Sequence, residues 1–200
     1  MLDARFDAAF PMPLAGADEV GRGCLAGAVV AAAVILPADF PEHIRCQLND
    51  SKKIPQKKRA LLAEAIKKHA LYAVSVVDVA TIDRINILRA SLLAMQQAVL
   101  ALPLKPALVL VDGNKAPHLP YPVQTVIGGD GLSGAIAAAS IVAKVHRDAL
   151  MMELDKKYPG YGWAENAGYG TALHRMALHE RGITPHHRKT FAPVKALLAA

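Results

Sequence analysis

Two apolar segments near the N-terminus, residues 14–20 and 26–36, are separated only by the turn Gly21-Arg22-Gly23 and its flanking residues. Both segments are rich in Val, Ile and small residues and have no helical periodicity, which is typical of buried strands. Three further segments have the same character: 71–79, 107–113 and 123–128. Two early strands followed by alternating helices and strands predict an α/β protein with a five-stranded mixed sheet flanked by helices.

Apolar residues that recur every three or four positions mark the helical segments. They predict one helix after Pro55 and others over 82–99, 132–157, 171–181 and 192–200. Glycine and aromatic residues crowd positions 158–170, which we interpret as a loop. Because no linker or repeat divides the chain, we expect a single domain over residues 1–200, with a helical C-terminal extension from about residue 158.

The composition favours a folded protein with a polyanionic partner. The chain has 200 residues, of which 53% are hydrophobic and 20% charged, so we expect one substantial core. Its 23 Lys and Arg residues exceed its 17 Asp and Glu residues, and the formal net charge is +6. This balance favours nucleic acid as the partner, with an anionic membrane as a second choice.

The cysteines and the longest apolar run argue against a membrane or secreted protein. The run from Cys24 to Pro37 has 14 residues, which is too short to span a bilayer. The N-terminal segment MLDARFDAAF lacks the apolar core of a signal peptide. Cys24 and Cys46 belong to no C-x-x-C pair, so we expect free thiols in a reducing cytoplasm and no contact with a membrane.

Carboxylates stand at or near the ends of three predicted strands: Asp18 with Glu19, Asp112, and Asp130. Burying a carboxylate is costly unless it is paired or bound to a metal ion, and several that converge repel one another. A divalent cation relieves that repulsion, and oxygen ligands suit Mg²⁺ or Mn²⁺ rather than zinc. Adjacent strand residues point to opposite faces, so Asp18 and Glu19 share a site only if the strand breaks there, as Gly21 favours. The alternative is that these aspartates are ordinary turn or helix-capping residues.

The segment Gly16-Ala17-Asp18-Glu19-Val20-Gly21-Arg22-Gly23, followed by Leu25-Ala26-Gly27, closely resembles the signature of the ribonuclease HII family. The resemblance covers nearly the whole chain, and its motifs come in the family's order. The further motifs are N-D-S-K-K at 49–53, V-D-G at 111–113, G-D at 129–130, I-A-A-A-S-I-V-A-K-V-H-R-D at 136–148, G-Y-G-T at 168–171 and H-R-K-T-F at 187–191.

This resemblance implies a ribonuclease H-like fold and an endonuclease that cuts on the 5′ side of a ribonucleotide, leaving a 3′-hydroxyl and a 5′-phosphate. The implied partners are RNA–DNA hybrids and duplex DNA that contains ribonucleotides. The implied cofactors are two Mg²⁺ or Mn²⁺ ions. The positions that match the family's catalytic, metal-binding carboxylates are Asp18, Glu19, Asp112 and Asp130.

The resemblance also implies residues that recognise the substrate. Gly21, Arg22 and Gly23 match a loop whose backbone groups contact the 2′-hydroxyl, the group that separates RNA from DNA. Tyr169 matches a tyrosine that stacks near the ribose. The other positions that we expect at the substrate, as phosphate contacts or on the same helical face, are Lys52, Lys53, Ser140, Lys144 and Arg147.

The sequence departs from the family pattern at two places that bear on substrate affinity. Leu132 stands where a basic residue is common, and Asn166-Ala167 stand where His-Lys is more usual. Both changes remove expected phosphate contacts, and neither touches the carboxylates. The family's sister type, ribonuclease HIII, has an added N-terminal domain and usually lacks the arginine of the G-R-G turn. The 17 residues before Asp18 and the presence of Arg22 therefore favour type HII.

Two other functions stay open at this point. One is a non-catalytic nucleic-acid-binding domain on the same fold, and the retention of all four acidic positions argues against it. The other is a dinucleotide-binding oxidoreductase, because Gly21-x-Gly23-x-x-x-Gly27 looks like G-x-G-x-x-G. Its spacing is off by one, and a strand follows where the fingerprint requires a helix. We expect a monomer, and the sequence does not indicate whether a sliding clamp is a partner.

Overall fold

The computed structural model describes residues 4–199 and contains the five-stranded mixed sheet that the sequence predicts. The strands are β1 (Leu14–Val20), β2 (Val29–Ile35), β3 (Leu71–Val77), β4 (Leu108–Asp112) and β5 (Val123–Val126). Their order in the sheet is β3-β2-β1-β4-β5. Strand β2 is antiparallel to β1 and β3, whereas β4 is parallel to β1 and β5.

Helices lie before, between and after these strands. They are α1 (Ala4–Ala8), α2 (Glu42–Arg45), α3 (Gln56–His69), α4 (Val79–Ile85), α5 (Ile87–Leu100), α6 (Gly134–Lys157), α7 (Trp163–Asn166), α8 (Ala172–Arg181) and α9 (Ala192–Leu198). Short 3₁₀ turns occur at Ser51–Lys53 and Gly129–Gly131. None of the helices between residues 4 and 199 combines the length and apolar character that a bilayer span requires.

The sheet is covered by helices on both faces. All seven residues of β2 are buried, because α3 and α6 pack on one face and α4 and α5 on the other. Its central residues Ala31, Ala32 and Ala33 are small, which lets helices approach from both sides. Each fully buried Val or Ile of the flanking positions contributes about 1.5–3 kcal/mol to folding.

Helix α6 approaches β1 so closely that one strand position has no room for a side chain. A Cβ atom at Gly16 would lie 2.1 Å from the carbonyl carbon of Ala135 and 2.3 Å from the nitrogen of Ile136. Both neighbours are backbone atoms, so they cannot move aside by changing a rotamer. This contact fixes α6 against the strand that carries Asp18.

The long helix expected over 82–99 is two helices in the structure. Asn86 between them has a left-handed φ of 66°, which ends α4, and its side chain accepts a hydrogen bond from the Arg89 N–H at 3.1 Å. Asp78 caps α4 in the same way through the Thr81 N–H at 2.8 Å, so β3 ends at Val77 rather than at residue 79. Asparagine and aspartate side chains commonly accept hydrogen bonds from the free backbone N–H groups at helix starts.

The apolar segment that the sequence assigns to the start of β2 instead pairs with the C-terminal region. Isolated bridges join Cys24 to Tyr169 and Ala26 to His187. The Leu25 N–H donates to the Gly168 carbonyl at 2.8 Å, and the Leu25 carbonyl accepts from the Arg188 N–H at the same distance. Strand β2 therefore begins at Val29, and the expected loop over 158–170 contains the short helix α7.

Two buried histidines order the interior of this C-terminal region. His187 Nδ1 lies 2.9 Å from the Thr184 N–H, so it accepts, and the proton of the neutral ring is on Nε2. That proton points to His174 Nε2 at 3.0 Å, which also accepts from Trp163 Nε1 at 3.0 Å. His174 Nδ1 therefore carries a proton and donates to the Tyr169 carbonyl at 2.9 Å. Every partner is satisfied only when both rings are neutral.

We expect the stability of the protein to fall in mild acid because of this pair. Burial, and then the neighbouring His174, lowers the pKa of His187 from its usual 6.5 to about 4. Between pH 6.5 and about 4, His187 is protonated in the unfolded chain but not in the folded one. The free energy of unfolding therefore decreases as the pH falls through this range. The loss is about 1.4 kcal/mol per pH unit for each such group. Urea unfolding at several pH values between 7.5 and 4.5 measures it.

The control for this prediction is His187→Gln, in which the amide cannot titrate. Carboxylates of raised pKa, such as Asp18, act in the opposite direction but are present in both proteins and cancel in the difference. His174 also has a lowered pKa because of burial, and it remains in the variant. The variant should thus have a shallower pH dependence by about one proton. Parallel curves for the two proteins would contradict the assignment.

Candidate active site

The four carboxylates singled out from the sequence line one cavity of about 380 Å³. Strands β1 and β4 are parallel, so Asp18 and Asp112 both lie toward their C-terminal ends. Asp130 comes from the 3₁₀ turn that follows β5. The other residues of the wall come from the G-R-G loop, the turn before α3, helix α6 and the C-terminal region: Gly21, Arg22, Gly23, Ser51, Lys52, Ser140, Lys144 and Tyr169, with Glu19 and Val20 from β1.

Asp18 and Glu19 share this cavity without the strand break that we expected between them. Both residues are paired within β1, opposite Ala32 and Ala31 of β2. On the other edge, however, the pairing of β1 with β4 ends at Ala17. Strand β1 continues beyond its parallel partner, and this open edge lets side chains from both faces reach the same space.

Asp18 is the most deeply buried of the four carboxylates, at 6% exposure. One of its oxygens accepts the Glu19 N–H at 2.7 Å. Burial raises its pKa well above the usual range, and the charges of Glu19 and Asp112 raise it further, while a hydrogen bond from Ser140 lowers it in part. The fold therefore holds a carboxylate where its negative charge is unfavourable on its own.

Glu19 has a cationic partner in the G-R-G loop. Arg22 Nη1 lies 3.1 Å from Glu19 Oε1, and the Arg22 side chain is half exposed. Burial raises the pKa of Glu19, and the charge of Arg22 offsets part of that rise. Neither side chain has another ion pair in the part of the chain described, so a movement of Glu19 would leave Arg22 without an ionic partner.

Asp112 and Asp130 are linked through the turn that carries Asp130. Asp112 Oδ1 accepts the Gly129 N–H at 2.7 Å, which ties the end of β4 to this turn. Burial raises the pKa of Asp130, and the charges of Asp50 and Asp112 add to the rise, against the opposing charge of Lys52. Asp50 is an acidic neighbour that we did not single out, although it lies in the N-D-S-K-K motif and caps the following turn.

These carboxylates share a cavity but are not already arranged as a set of ligands. Among residues 4–199, no three Asp, Glu, His or Cys side chains lie close enough to one another to hold a common metal ion. The reason is visible in their present partners: Asp18 and Asp112 each bond a backbone N–H, and Glu19 bonds Arg22. For these side chains to surround an ion, Glu19 in particular would have to rotate away from Arg22.

Two cations expected at the substrate are not in the cavity wall. Lys53 is two-thirds exposed and lies 3.9 Å from Asp50, so only Lys52 of this pair reaches the cavity. Arg147 is 1% exposed and donates to the carbonyls of Ala26, Ala28 and Ala167 at 2.8–3.1 Å. Each of its three guanidinium nitrogens thus bonds a backbone carbonyl and the side chain is buried, so this geometry does not favour the predicted phosphate contact of Arg147.

Lys144 and Ser140 do lie together on α6 and line the cavity. Lys144 Nζ is 2.6 Å from Asp148, which also pairs with Arg59 at 3.2 Å, so the lysine is held in place from behind. Ser140 is 5% exposed and donates to the Ser51 hydroxyl at 2.9 Å. It also lies next to Asp18, so it contacts that carboxylate and offers little open surface to a substrate.

Tyr169 stands beside the G-R-G loop with 40% of its surface exposed. Gly23 is its neighbour in this loop: a Cβ atom at that position would be in van der Waals contact with the tyrosine ring, at 3.8 Å. Burial raises the pKa of the Tyr169 hydroxyl, and the adjacent Cys24 adds to the effect, so the ring is neutral at physiological pH. At the two departures from the family pattern, Leu132 is exposed, whereas the Asn166 side chain bonds the Tyr161 carbonyl and the Gly168 N–H.

The sequence model of the Ribonuclease HII family matches residues 15–194, a range that includes the whole cavity wall. The chain belongs to the ribonuclease HII family. Among its curated relatives, the ribonuclease HII of Paramagnetospirillum magneticum is 56% identical over 180 residues, which are 90% of each protein. That of Gluconobacter oxydans is 50% identical and covers 100% of this chain and 98% of the relative.

The fold agrees with this assignment. The crystal structure of ribonuclease H2 from Pyrococcus horikoshii superposes with a TM-score of 0.80 at 26% identity, covering 92% of this chain and 96% of the other. Ribonuclease HII enzymes are endonucleases that cut RNA in RNA–DNA hybrids, and this chain shares that activity. The oxidoreductase alternative and the non-catalytic alternative are both excluded by this membership.

Proposed function

We propose that the enzyme hydrolyses the phosphodiester bond on the 5′ side of ribonucleotides, in RNA–DNA hybrids and at ribonucleotides embedded in duplex DNA. The products are a 3′-hydroxyl and a 5′-phosphate. The observation that carries this proposal is the single cavity that joins four carboxylates, two lysines and the G-R-G loop. Acidic ligands for divalent ions thus stand beside cations for the phosphates of a strand.

The carboxylates suit two Mg²⁺ or Mn²⁺ ions, because these ions prefer oxygen ligands. Burial and the charges of Glu19 and Asp112 disfavour the ionised form of Asp18, and a cation at this position would relieve that strain. Asp18, Glu19, Asp112 and Asp130 would hold the ions. When bound, the ions would activate a water for in-line attack and neutralise the departing 3′ oxygen.

The same rotation that brings Glu19 to an ion would release a cation for the substrate. Glu19 and Arg22 are bonded to each other at 3.1 Å, so a turn of Glu19 toward the other carboxylates frees the guanidinium. Arg22 already lies in the cavity wall and is half exposed. We assign it to a phosphate of the bound strand, together with Lys52 and Lys144.

Recognition of the ribose falls to the G-R-G loop and Tyr169. Gly21, Arg22 and Gly23 line the cavity wall, and backbone N–H groups of this loop are suited to a 2′-hydroxyl, which can accept a hydrogen bond from them. The exposed face of Tyr169 next to them provides a stacking surface that does not depend on base identity. Together they would place a ribonucleotide, rather than a deoxyribonucleotide, over the carboxylates.

We further propose that residues 1–200 act as one catalytic domain in a monomer, with the helical region from about residue 158 as an extension that completes the site. Tyr169 comes from this region, and backbone hydrogen bonds tie Gly168 and Arg188 to Leu25. A complete cavity wall within one chain supports a monomer, because no residue of a second copy is needed.

A reducing cytoplasm and a role in removing ribonucleotides from DNA complete the proposal. Both cysteines are free thiols, Cys24 buried and Cys46 exposed, and an exposed free thiol suits a reducing compartment. A nuclease that accepts a single embedded ribonucleotide would initiate ribonucleotide excision repair by making the first cut.

The test is cleavage-site mapping on a DNA duplex with one ribonucleotide and on an all-RNA/DNA hybrid, with Mg²⁺ and Mn²⁺ compared. We expect one cut on the 5′ side of the single ribonucleotide, distributed cuts in the hybrid, and a 5′-phosphate that ligase can join. Cleavage that persists in EDTA would contradict the metal dependence. Cleavage of the hybrid alone would restrict the substrate to continuous RNA.

A further inference from the structure

Arg188 is a fully buried cation whose hydrogen bonds go to backbone carbonyls of the segment that contains the G-R-G loop. Its Nη2 lies 2.6 Å from the Gly21 carbonyl oxygen, and its Nη1 lies 2.9 Å from that of Arg22. Nε and Nη2 also contact the Gly27 carbonyl, at 3.0 and 2.8 Å. A buried charge is costly unless it is hydrogen-bonded, and here the carbonyls of Gly21, Arg22 and Gly27 supply the bonds.

These bonds decide the direction of the neighbouring N–H groups. In a trans peptide, the carbonyl and the N–H of the next residue point in opposite directions across one plane. The only cis bond in the described chain is Met12-Pro13, so the peptides after Gly21 and Arg22 are trans. With their carbonyls turned toward Arg188, the N–H groups of Arg22 and Gly23 point away from it, and both residues line the cavity.

We propose that Arg188 is a positioning residue for ribose recognition, because its guanidinium orients the Gly21–Arg22 and Arg22–Gly23 peptide planes so that their N–H groups face the substrate. This inference rests on the proposed function, in which the G-R-G loop contacts the 2′-hydroxyl. Arg188 does not touch the substrate itself. Phe191, whose ring centre is 5.0 Å from the guanidinium carbon, holds the arginine from the other side.

A second buried arginine shows that the arrangement at Arg188 is specific to the loop. Arg147 also has its donors on carbonyls, but these belong to Ala26, Ala28 and Ala167. It lies beneath Gly21, where a Cβ atom would be 2.2 Å from its Nε, yet it bonds neither the Gly21 nor the Arg22 carbonyl. Arg147 therefore supports the segment after the loop, and the two recognition peptides depend on Arg188.

The experiment compares kcat/KM on two duplexes that differ at one ribose, with a 2′-hydroxyl in one and a 2′-fluorine in the other. Fluorine keeps a similar sugar shape but cannot donate a hydrogen bond and accepts weakly. In Arg188→Met we expect the ratio of the two kcat/KM values to fall at least about tenfold, because loss of one or two well-placed hydrogen bonds is of that size. The affinity for an all-DNA duplex should change less than about threefold, since the phosphate contacts remain.

Lower stability alone must not produce this result, so the control is Met95→Ala, a buried core residue of α5 that does not line the cavity. It should lower the melting temperature while leaving the hydroxyl-to-fluorine ratio as in the wild type. If Arg188→Met does not fold, Arg188→Lys replaces it; this variant keeps the charge but not the fork of donors, and a loss of about threefold or more is expected.

Each outcome bears on a different statement. A folded Arg188 variant with the wild-type ratio would overturn the positioning role. A drop in the ratio that Met95→Ala shares would overturn it as well, because general destabilisation would then explain the effect. If the wild-type enzyme itself does not distinguish hydroxyl from fluorine, the proposed ribose recognition fails before Arg188 is tested.

Discussion

Asp112→Asn should abolish cleavage while leaving the fold and the affinity for the duplex intact. We expect kcat to fall roughly 10³-fold or more, because loss of a ligand from the proposed two-metal centre would cost several kcal/mol of transition-state stabilisation. The amide oxygen can still accept the Gly129 N–H that now bonds Asp112 at 2.7 Å, so the turn that carries Asp130 stays in place. Single-turnover cleavage of the one-ribonucleotide duplex measures the loss.

The control for this variant is Asp39→Asn, the same chemical change at an exposed position away from the cavity. It should cut at the wild-type rate. In EDTA, Asp112→Asn should melt no lower than the wild type, since it removes a charge that disfavours ionised Asp18. Added Mg²⁺ should raise the melting temperature of the wild type more than that of the variant. A variant that still cuts would remove Asp112 from the metal centre.

Gly16→Ala should lower the stability of the protein strongly, although it adds only one methyl group. The new Cβ would lie 2.1–2.5 Å from three backbone atoms of Ala135 and Ile136, and relief requires a shift of the whole of α6. Overpacking of this kind costs about 3 kcal/mol or more, which is about 10 °C in melting temperature for a chain of this length. Thermal unfolding followed by circular dichroism measures the change.

Gly131→Ala is the matched control, because a Cβ atom at this position would meet no other atom within 4 Å and its φ is outside the left-handed region. We expect it to change stability by less than about 1 kcal/mol. The Gly16 substitution should also weaken the hydrogen bond from Ser140 to Asp18, because Ser140 lies on α6 and would move with it. If the two variants melt at the same temperature, the close contact of β1 with α6 does not constrain the fold as described.

The parts of the fold that depend on local pattern were predictable from the sequence. The strands and the helix after Pro55 follow from runs of Val and Ile and from three- to four-residue periodicity, and those signals are local. The break at Asn86 was missed because Asn86 interrupts no apolar period; its left-handed conformation is a property of the turn alone. The start of β2 was placed too early because apolar residues 24–27 pair with the C-terminal region instead of the sheet.

The positions of the carboxylates at strand ends were predictable for the same reason, but the burial of the arginines was not. On a helical wheel Arg147 is an ordinary cation near Lys144, and its real partners are carbonyls more than a hundred residues earlier or twenty residues later. The hydrogen-bonded pair of His174 and His187 depends likewise on contacts across α8. Such long-range pairings leave no periodic mark in the chain.

The hydrogen bonds from Arg188 to Gly21 and Arg22 span more than 160 residues, so an early and a late segment of the sequence meet at the G-R-G loop. During synthesis every acidic ligand is made well before this arginine. A chain cut short upstream of it would contain all four carboxylates but lack the contact with the loop. If Arg188 orients the loop as proposed, the order of translation separates the residues for hydrolysis from the contact that selects the ribose, and this contact is made last.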